Sequence, residues 1–215
     1  MVIIRKIRTF YRMLLERKWR TGMRKALINK DFSILSNNCW GGGIYEDLGL
    51  PYTSPTVGLF FHGPCYLKFL KKLRFYLSCE LKFIDISKYD LANKKRAIGQ
   101  LTYPIALIDD VELHFLHYHS KEEAEDKWNR RKKRINFNNL FVEFGEIELV
   151  DYDLMLEFDS LEYKNKLLFS VGKHKDLKSS ICLRGRQGKV DVGDIYTNKA
   201  VWRKEFDVVK WLNEG

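Results

Sequence analysis

Cys39 and His62 each follow a short apolar run, so both can project from the same edge of a sheet. A thiol beside an imidazole is a nucleophile with its base, although Cys is also a common small core residue. His62 alone can act as a general base or touch a substrate. Asp109-Asp110-Val111-Glu112 offers a second chemistry. Asp110 can serve as a base. Asp110 and Glu112 together present the hard oxygen ligands that suit a divalent cation, while Asp109-Asp110 also fits a two-residue turn. His114, His117 and His119 follow closely. In a regular strand His117 and His119 share one face, and His114 shares the other with Glu112, so the three imidazoles do not converge on one metal.

Anion binding has its own candidates. Asn37, Asn38, Cys39, Trp40, Gly41, Gly42 and Gly43 lie between a strand and a helix, where successive backbone N–H groups can cradle an anion. The run matches no nucleotide-binding fingerprint and also reads as a tight strand-to-helix turn. Arg184 and Arg186 stand in a basic turn that can grip a phosphate or form an exposed hairpin tip. Arg130–Arg134 reads as the solvated basic end of a helix.

The elements that position these residues follow from hydrophobic periodicity. Strands are predicted at 32–36, 57–61, 81–86, 104–108, 111–118, 140–144, 166–171, 180–184 and 190–192. Helices are predicted at 44–48, at 64–77 opening on Pro64, at 152–160 and at 206–213. Another starts at Ser120 with Glu123 three residues on, a capping box. Residues 87–100 read as a polar stretch. The alternation argues for an α/β domain with a largely parallel sheet flanked by helices. Residues 32–86 and 111–171 share a strand-helix-strand-helix-strand pattern, as two similar lobes would.

Charge is partitioned sharply. Residues 1–30 hold ten Lys/Arg and one acid, Glu16, so they carry +9 of the formal net charge of +10. Ile3, Ile7, Phe10 and Leu14 fall at helical spacing, continued by Trp19, Met23 and Leu27. The division is therefore a basic amphipathic helix over 1–30 and an α/β domain over 31–215. Such a helix suits an anionic membrane surface or the flank of the domain. Charges interrupt every stretch long enough to span a bilayer, and no secretory signal is recognisable. Cys39, Cys65, Cys79 and Cys182 include no CxxC pair and read as reduced thiols of a cytoplasmic protein.

Several stretches resemble a bacterial domain family of unknown function whose members are labelled exopolysaccharide biosynthesis proteins. They include Ser36–Gly42, Gly49-Leu50-Pro51-Tyr52-Thr53-Ser54-Pro55, Ile108–Tyr118 and Lys127–Asn136, extended by Asn165–Phe169 and Val209–Asn213. The resemblance covers nearly all of 31–213 and brings no assigned catalytic residues. It implies work on cell-surface polysaccharide, as a sugar or acyl transferase, and the basic N-terminal segment is compatible with such work at the inner face of the cell membrane.

The leading expectation is thus a membrane-peripheral transferase whose nucleotide-sugar or other anionic donor meets the Asn37–Gly43 loop, with His62 or Asp110 as base. A divalent cation is the one cofactor the residues suggest. A non-catalytic module for a glycan, lipid or partner is the second expectation. Nucleic acid, gripped by the basic arm and Arg130–Arg134, stands behind both.

Overall fold

The computed structural model describes residues 2–215, and the side chains from residue 5 onward. The chain opens with α1 (Val2–Ala26), then β1 (Ser33–Ser36) and α2 (Trp40–Leu48). It continues through α3 (Gly63–Lys71), α4 (Leu73–Ser78), β2 (Lys82–Ile84), α5 (Asp90–Ala97), β3 (Ile105–Ile108) and β4 (Val111–His114). The second half holds α6 (Lys121–Lys132), β5 (Leu140–Gly145), α7 (Tyr152–Ser160), β6 (Asn165–Ser170), β7 (Ser180–Cys182), α8 (Ala200–Arg203) and α9 (Val208–Glu214).

The mixed α/β fold has a four-stranded parallel sheet in the order β1-β5-β6-β7. Its strands are apolar on both faces because both faces are covered. Leu35, Val142, Phe144 and Leu168 point into one core with α3 and α7. Their neighbours Ile34, Phe141, Leu167 and Phe169 point into a second core with α2 and α9. A separate antiparallel sheet, β2-β3-β4, packs beside α3. Asp109 and Asp110 make its two-residue β3–β4 turn, with Asp109 in the left-handed region at φ 53°. The two stretches with similar patterns diverge in space. Residues 32–86 give one strand to each sheet, whereas 111–171 give β4 to the antiparallel sheet and β5 and β6 to the parallel one.

Several segments differ from the sequence expectation. Residues 57–61 form no strand: Gly58 turns at φ 77°, Phe60 makes a lone bridge to His114, and the N–H of Phe61 donates to Asn37 O at 2.9 Å. Their apolarity reflects burial, not a ladder. Residues 190–192 form no strand either, with Val190 98 % exposed and Val192 buried. The helix expected at 64–77 breaks at Lys72, whose backbone (φ −132°, ψ 45°) is not helical. The polar stretch 87–100 contains α5, which the sequence hides because only Ala92 of it is buried.

α2 begins at Trp40, so Gly41–Gly43 occupy its first turn and not a loop. All three are buried. A Cβ on Gly41 would lie 2.5 Å from Ser36 Oγ and 3.0 Å from Ile34 Cγ2, so the missing side chain is what lets α2 lie on β1.

The basic helix divides in two. Residues 5–15 project from the fold, exposing Ile7, Phe10, Tyr11, Met13, Leu14 and Leu15. From Glu16 onward α1 is docked. Glu16 takes a bidentate pair from Arg203, both contacts at 2.7 Å, and Met23 and Leu27 join the core. Among the described residues no helix is long and apolar enough to cross a membrane.

Gly41→Ala is expected to destabilise the protein by about 1–3 kcal/mol through overpacking. Gly22→Ala, on α1 with nothing within 4 Å of the added Cβ, should stabilise it by roughly 0.5–1 kcal/mol through helix propensity. Urea unfolding of the two variants checks the contrast, and equal midpoints would refute it.

Candidate functional site

Parallel α/β sheets bind ligands beyond the carboxyl ends of their strands. A cavity of about 290 Å³ opens there, lined by Asn38 and Cys39 after β1, Ile147 and Glu148 after β5, and Asp191, Gly193, Asp194, Ile195 and Tyr196 after β7. The far wall is supplied by Phe60, His62, His114 and α5, whose Lys95 pairs with Glu148 at 2.5 Å. Phe60, Leu101, Leu116, Ile147 and Ile195 make much of the wall apolar.

Asn37 builds this edge. Its Nδ2 donates to Gly145 O at 3.1 Å and its Oδ1 accepts from Gly145 N at 2.9 Å, extending the β1–β5 pairing by a side-chain amide. Asn38 Oδ1 accepts from Trp40 N at 2.8 Å, and Ser36 Oγ accepts from Gly41 N at 3.1 Å. Two N–H groups of the first turn of α2 are therefore already satisfied by side chains. Asn38 Nδ2 also donates to Glu143 Oε1 at 3.1 Å. Burial pushes Glu143 up to about 8, against the bonds from Asn38 and Ser36.

The buried polar centre lies on β4. Glu112 and His114 share a face of the strand, as their spacing predicts, and Glu112 Oε1 meets His114 Nε2 at 2.7 Å. The same oxygen accepts from Ser87 Oγ at 2.5 Å, and Oε2 accepts from Lys88 N at 2.9 Å. Burial acts to raise the Glu112 carboxyl, but the bonds from His114, Ser87 and Lys88 hold it below the usual range. An ionised carboxylate only accepts, so Nε2 carries the hydrogen and a neutral His114 keeps its lone pair on Nδ1. That Nδ1 is buried with no partner among the described residues, as are both ring nitrogens of His62. The two rings lie 5.1 Å apart and both line the cavity. Unpartnered buried nitrogens of this kind are uncommon and call for an explanation.

Cys39 finds a different imidazole from the one its sequence position suggested. Its Sγ lies 3.1 Å from His117 Nε2. Residues 115–118 turn instead of continuing β4, with Tyr118 N donating to Phe115 O, and this swings His117 toward Gly58 and Cys39. Burial first, then the carboxylates of Asp194, Glu143 and Glu46, push the Cys39 thiol up to about 12.

The remaining candidates lie elsewhere. Asp110 sits on the β3–β4 turn and accepts from Lys68 Nζ at 2.6 Å and Tyr76 OH at 2.8 Å. Glu112 is committed to Ser87, Lys88 and His114, so the two acids serve separate partners. Among the described residues no three His, Cys, Asp or Glu side chains are arranged to hold a metal ion. Arg184 pairs with Glu205 at 2.8 Å, away from the cavity. Arg186 supports its rim from behind, donating to Asp191 O. Trp40 and Gly41 are buried, and Gly43 abuts Tyr196.

Burial, and next the neighbouring His114, push His62 down to about 4 from an ordinary value of 6.5. Between those values the unfolded chain binds the proton and the folded chain does not, so stability falls as pH falls through this window. His62→Phe should flatten that dependence, by up to about 1.4 kcal/mol per pH unit. Urea titrations across the window test it, and an unchanged slope would count against the neutral buried imidazole.

The sequence pattern of DUF1919, a domain of unknown function, matches residues 10–213. A protein of Haemophilus influenzae (strain ATCC 51907 / DSM 11121 / KW20 / Rd) described as an uncharacterized protein is 34 % identical over 198 residues. The aligned region covers 90 % of this chain and 89 % of that protein. Every residue of the cavity falls within the matched span, and the chain belongs to the DUF1919 family.

Proposed function

We propose that the protein is an acyltransferase acting on a saccharide hydroxyl, with His114 as the general base and Glu112 orienting it. The observation that carries this reading is the buried Glu112–His114 pair, whose unpartnered Nδ1 belongs to a cavity-lining ring. A carboxylate behind an imidazole fixes its tautomer and stabilises the imidazolium formed when a hydroxyl proton is taken. His62, neutral down to about pH 4, is a poor base and serves instead as a hydrogen-bonding group for substrate. The apolar wall suits an acyl chain. The cavity's one lysine is already paired with Glu148, and Asp191 and Asp194 add further carboxylates. That balance suits an uncharged substrate portion better than a nucleotide diphosphate. The saccharide acceptor follows the resemblance to proteins labelled for exopolysaccharide biosynthesis.

A covalent route is favoured by one contact, Cys39 Sγ to His117 Nε2 at 3.1 Å. With its thiol pushed up to about 12, Cys39 would react as a neutral thiol surrendering its proton to His117 in the attack, not as a standing thiolate. Turnover of a p-nitrophenyl acyl ester with a saccharide acceptor separates the routes. General-base transfer predicts that His114→Ala lowers kcat by about 100-fold or more, while Cys39→Ala changes little. Loss of turnover in Cys39→Ala, with an acyl adduct on Cys39 in the intact mass, would establish the covalent route. Turnover indifferent to both substitutions would leave a binding module.

The projecting part of α1 supports a place at a membrane surface. Arg5, Lys6, Arg8 and Arg12 are exposed beside Phe10, Tyr11, Leu14 and Leu15, and each cation near an anionic bilayer contributes on the order of 1 kcal/mol. The full chain is expected to co-float with phosphatidylglycerol vesicles. Replacing those four basic residues by Glu should abolish flotation without lowering the melting temperature. Undiminished flotation of that variant would remove the membrane from the account.

A further inference from the structure

A second cavity, of about 260 Å³, shares Cys39 and Tyr196 with the first. Its character is opposite to the first. Arg131, Lys127 and His117 line it, with Glu46 as the acidic side chain. Arg131 belongs to the basic run that reads from the sequence as a solvated helix end, yet it is only 8 % exposed. It turns inward from α6 and lies against the Tyr52 ring, 4.7 Å from its centroid.

No ion pair among the described residues involves Arg131; the neighbouring cations Lys127 and Arg130 pair with Glu123 and Asp126. Its Nη1 donates to Val57 O at 2.9 Å and to Tyr118 OH at 2.5 Å. Those two acceptors are neutral, and they fix the plane of the guanidinium. The donors on Nε and Nη2 meet no acceptor among the described residues, although Arg131 borders the cavity. Glu46 shares the cavity but makes no ion pair with Arg131, and its two oxygens accept from Tyr52 OH at 3.1 Å and Tyr196 OH at 3.0 Å. A guanidinium this little exposed, with no ion pair and with donors left open toward a cavity, gains when an oxyanion completes its fork.

We propose that this second cavity is an oxyanion subsite in which Arg131, assisted by Lys127, holds a phosphate or carboxylate group of the substrate. The subsite goes beyond the acyl-transfer reading and stands whatever chemistry the first cavity performs. Together the two cavities, which meet at Cys39 and Tyr196, describe a substrate with an apolar, uncharged portion in one and an anionic group in the other.

Calorimetric titration of the full chain with inorganic phosphate, and separately with acetate, tests it. Saturable binding at one site is expected, and the tighter of the two ions tells phosphate from carboxylate. Arg131→Gln should weaken that binding at least about tenfold, consistent with loss of a charge-assisted contact. Because Arg131→Gln also removes a buried anchor, Lys127→Ala is the companion variant. It leaves the Arg131 anchors untouched and should weaken binding by a smaller factor. His114→Ala, which lies outside this cavity, should bind the ion as the parent does, so failure of the transferase reading does not reach this one. Absence of saturable binding by either ion, or binding equal in the parent and both cation variants, would show Arg131 to be purely structural and overturn the proposal.

Discussion

The site hangs from one side chain. Asn37 places both halves of its amide on Gly145, where the backbone ladder between β1 and β5 has ended. The clamp fixes the point at which the chain leaves the sheet. Its backbone carbonyl takes the N–H of Phe61, so the same residue also anchors the segment carrying His62. Phe60 in turn bridges to His114, which ties the antiparallel sheet to the parallel one. Cys39, His62 and His114 thus border one cavity because three different segments are referred to a single asparagine.

The end of the sheet is also where the protein concentrates buried charge. Glu112 is kept ionised by donors on every side, while the uncharged surroundings of Glu143 keep it protonated near neutrality. Burial raises both carboxyls, but three donors outweigh it at Glu112, whereas at Glu143 the bonds from Asn38 and Ser36 do not and Oε2 has no partner among the described residues. Hydrophobic burial alone would favour apolar side chains at both positions. The β-sheet interior elsewhere obeys that preference, with Ile34, Leu35, Phe141, Val142, Leu167 and Leu168 sending alternate residues into the two cores.

Much of this was legible in the residues themselves. Glu112 and His114 had to share a face if β4 was a strand, Asp109-Asp110 made the turn its composition allows, and Ser120 caps α6 by accepting from Glu123 N. The position beyond the strand ends followed from the α/β pattern. What stayed hidden depended on irregular backbone. A strand running through Tyr118 keeps His117 away from Cys39; the turn at 115–118 reverses that. The apolar run 57–61 looked like a strand because burial and strand formation leave the same mark on sequence. The glycines at 41–43 suggested an open loop, whereas they serve helix-to-strand contact. Arg131 was indistinguishable from its neighbours in a basic run, since only tertiary packing decides which of them turns inward.

The two ends of the chain are stitched together. Asn213 Oδ1 accepts from the N–H groups of Ile28 and Asn29, its Nδ2 donates to Ala26 O, and Trp19 lies against Trp202 and Arg203. These bonded partners lie 184–187 positions apart in sequence. Joining them closes a loop that takes in most of the domain, and the entropic cost of that closure grows only slowly with its length. The clasp is electrostatic as well as apolar, since Glu16 pairs with Arg203 beside the Trp19–Trp202 contact, so added salt loosens one half of the hold on α1 and leaves the other.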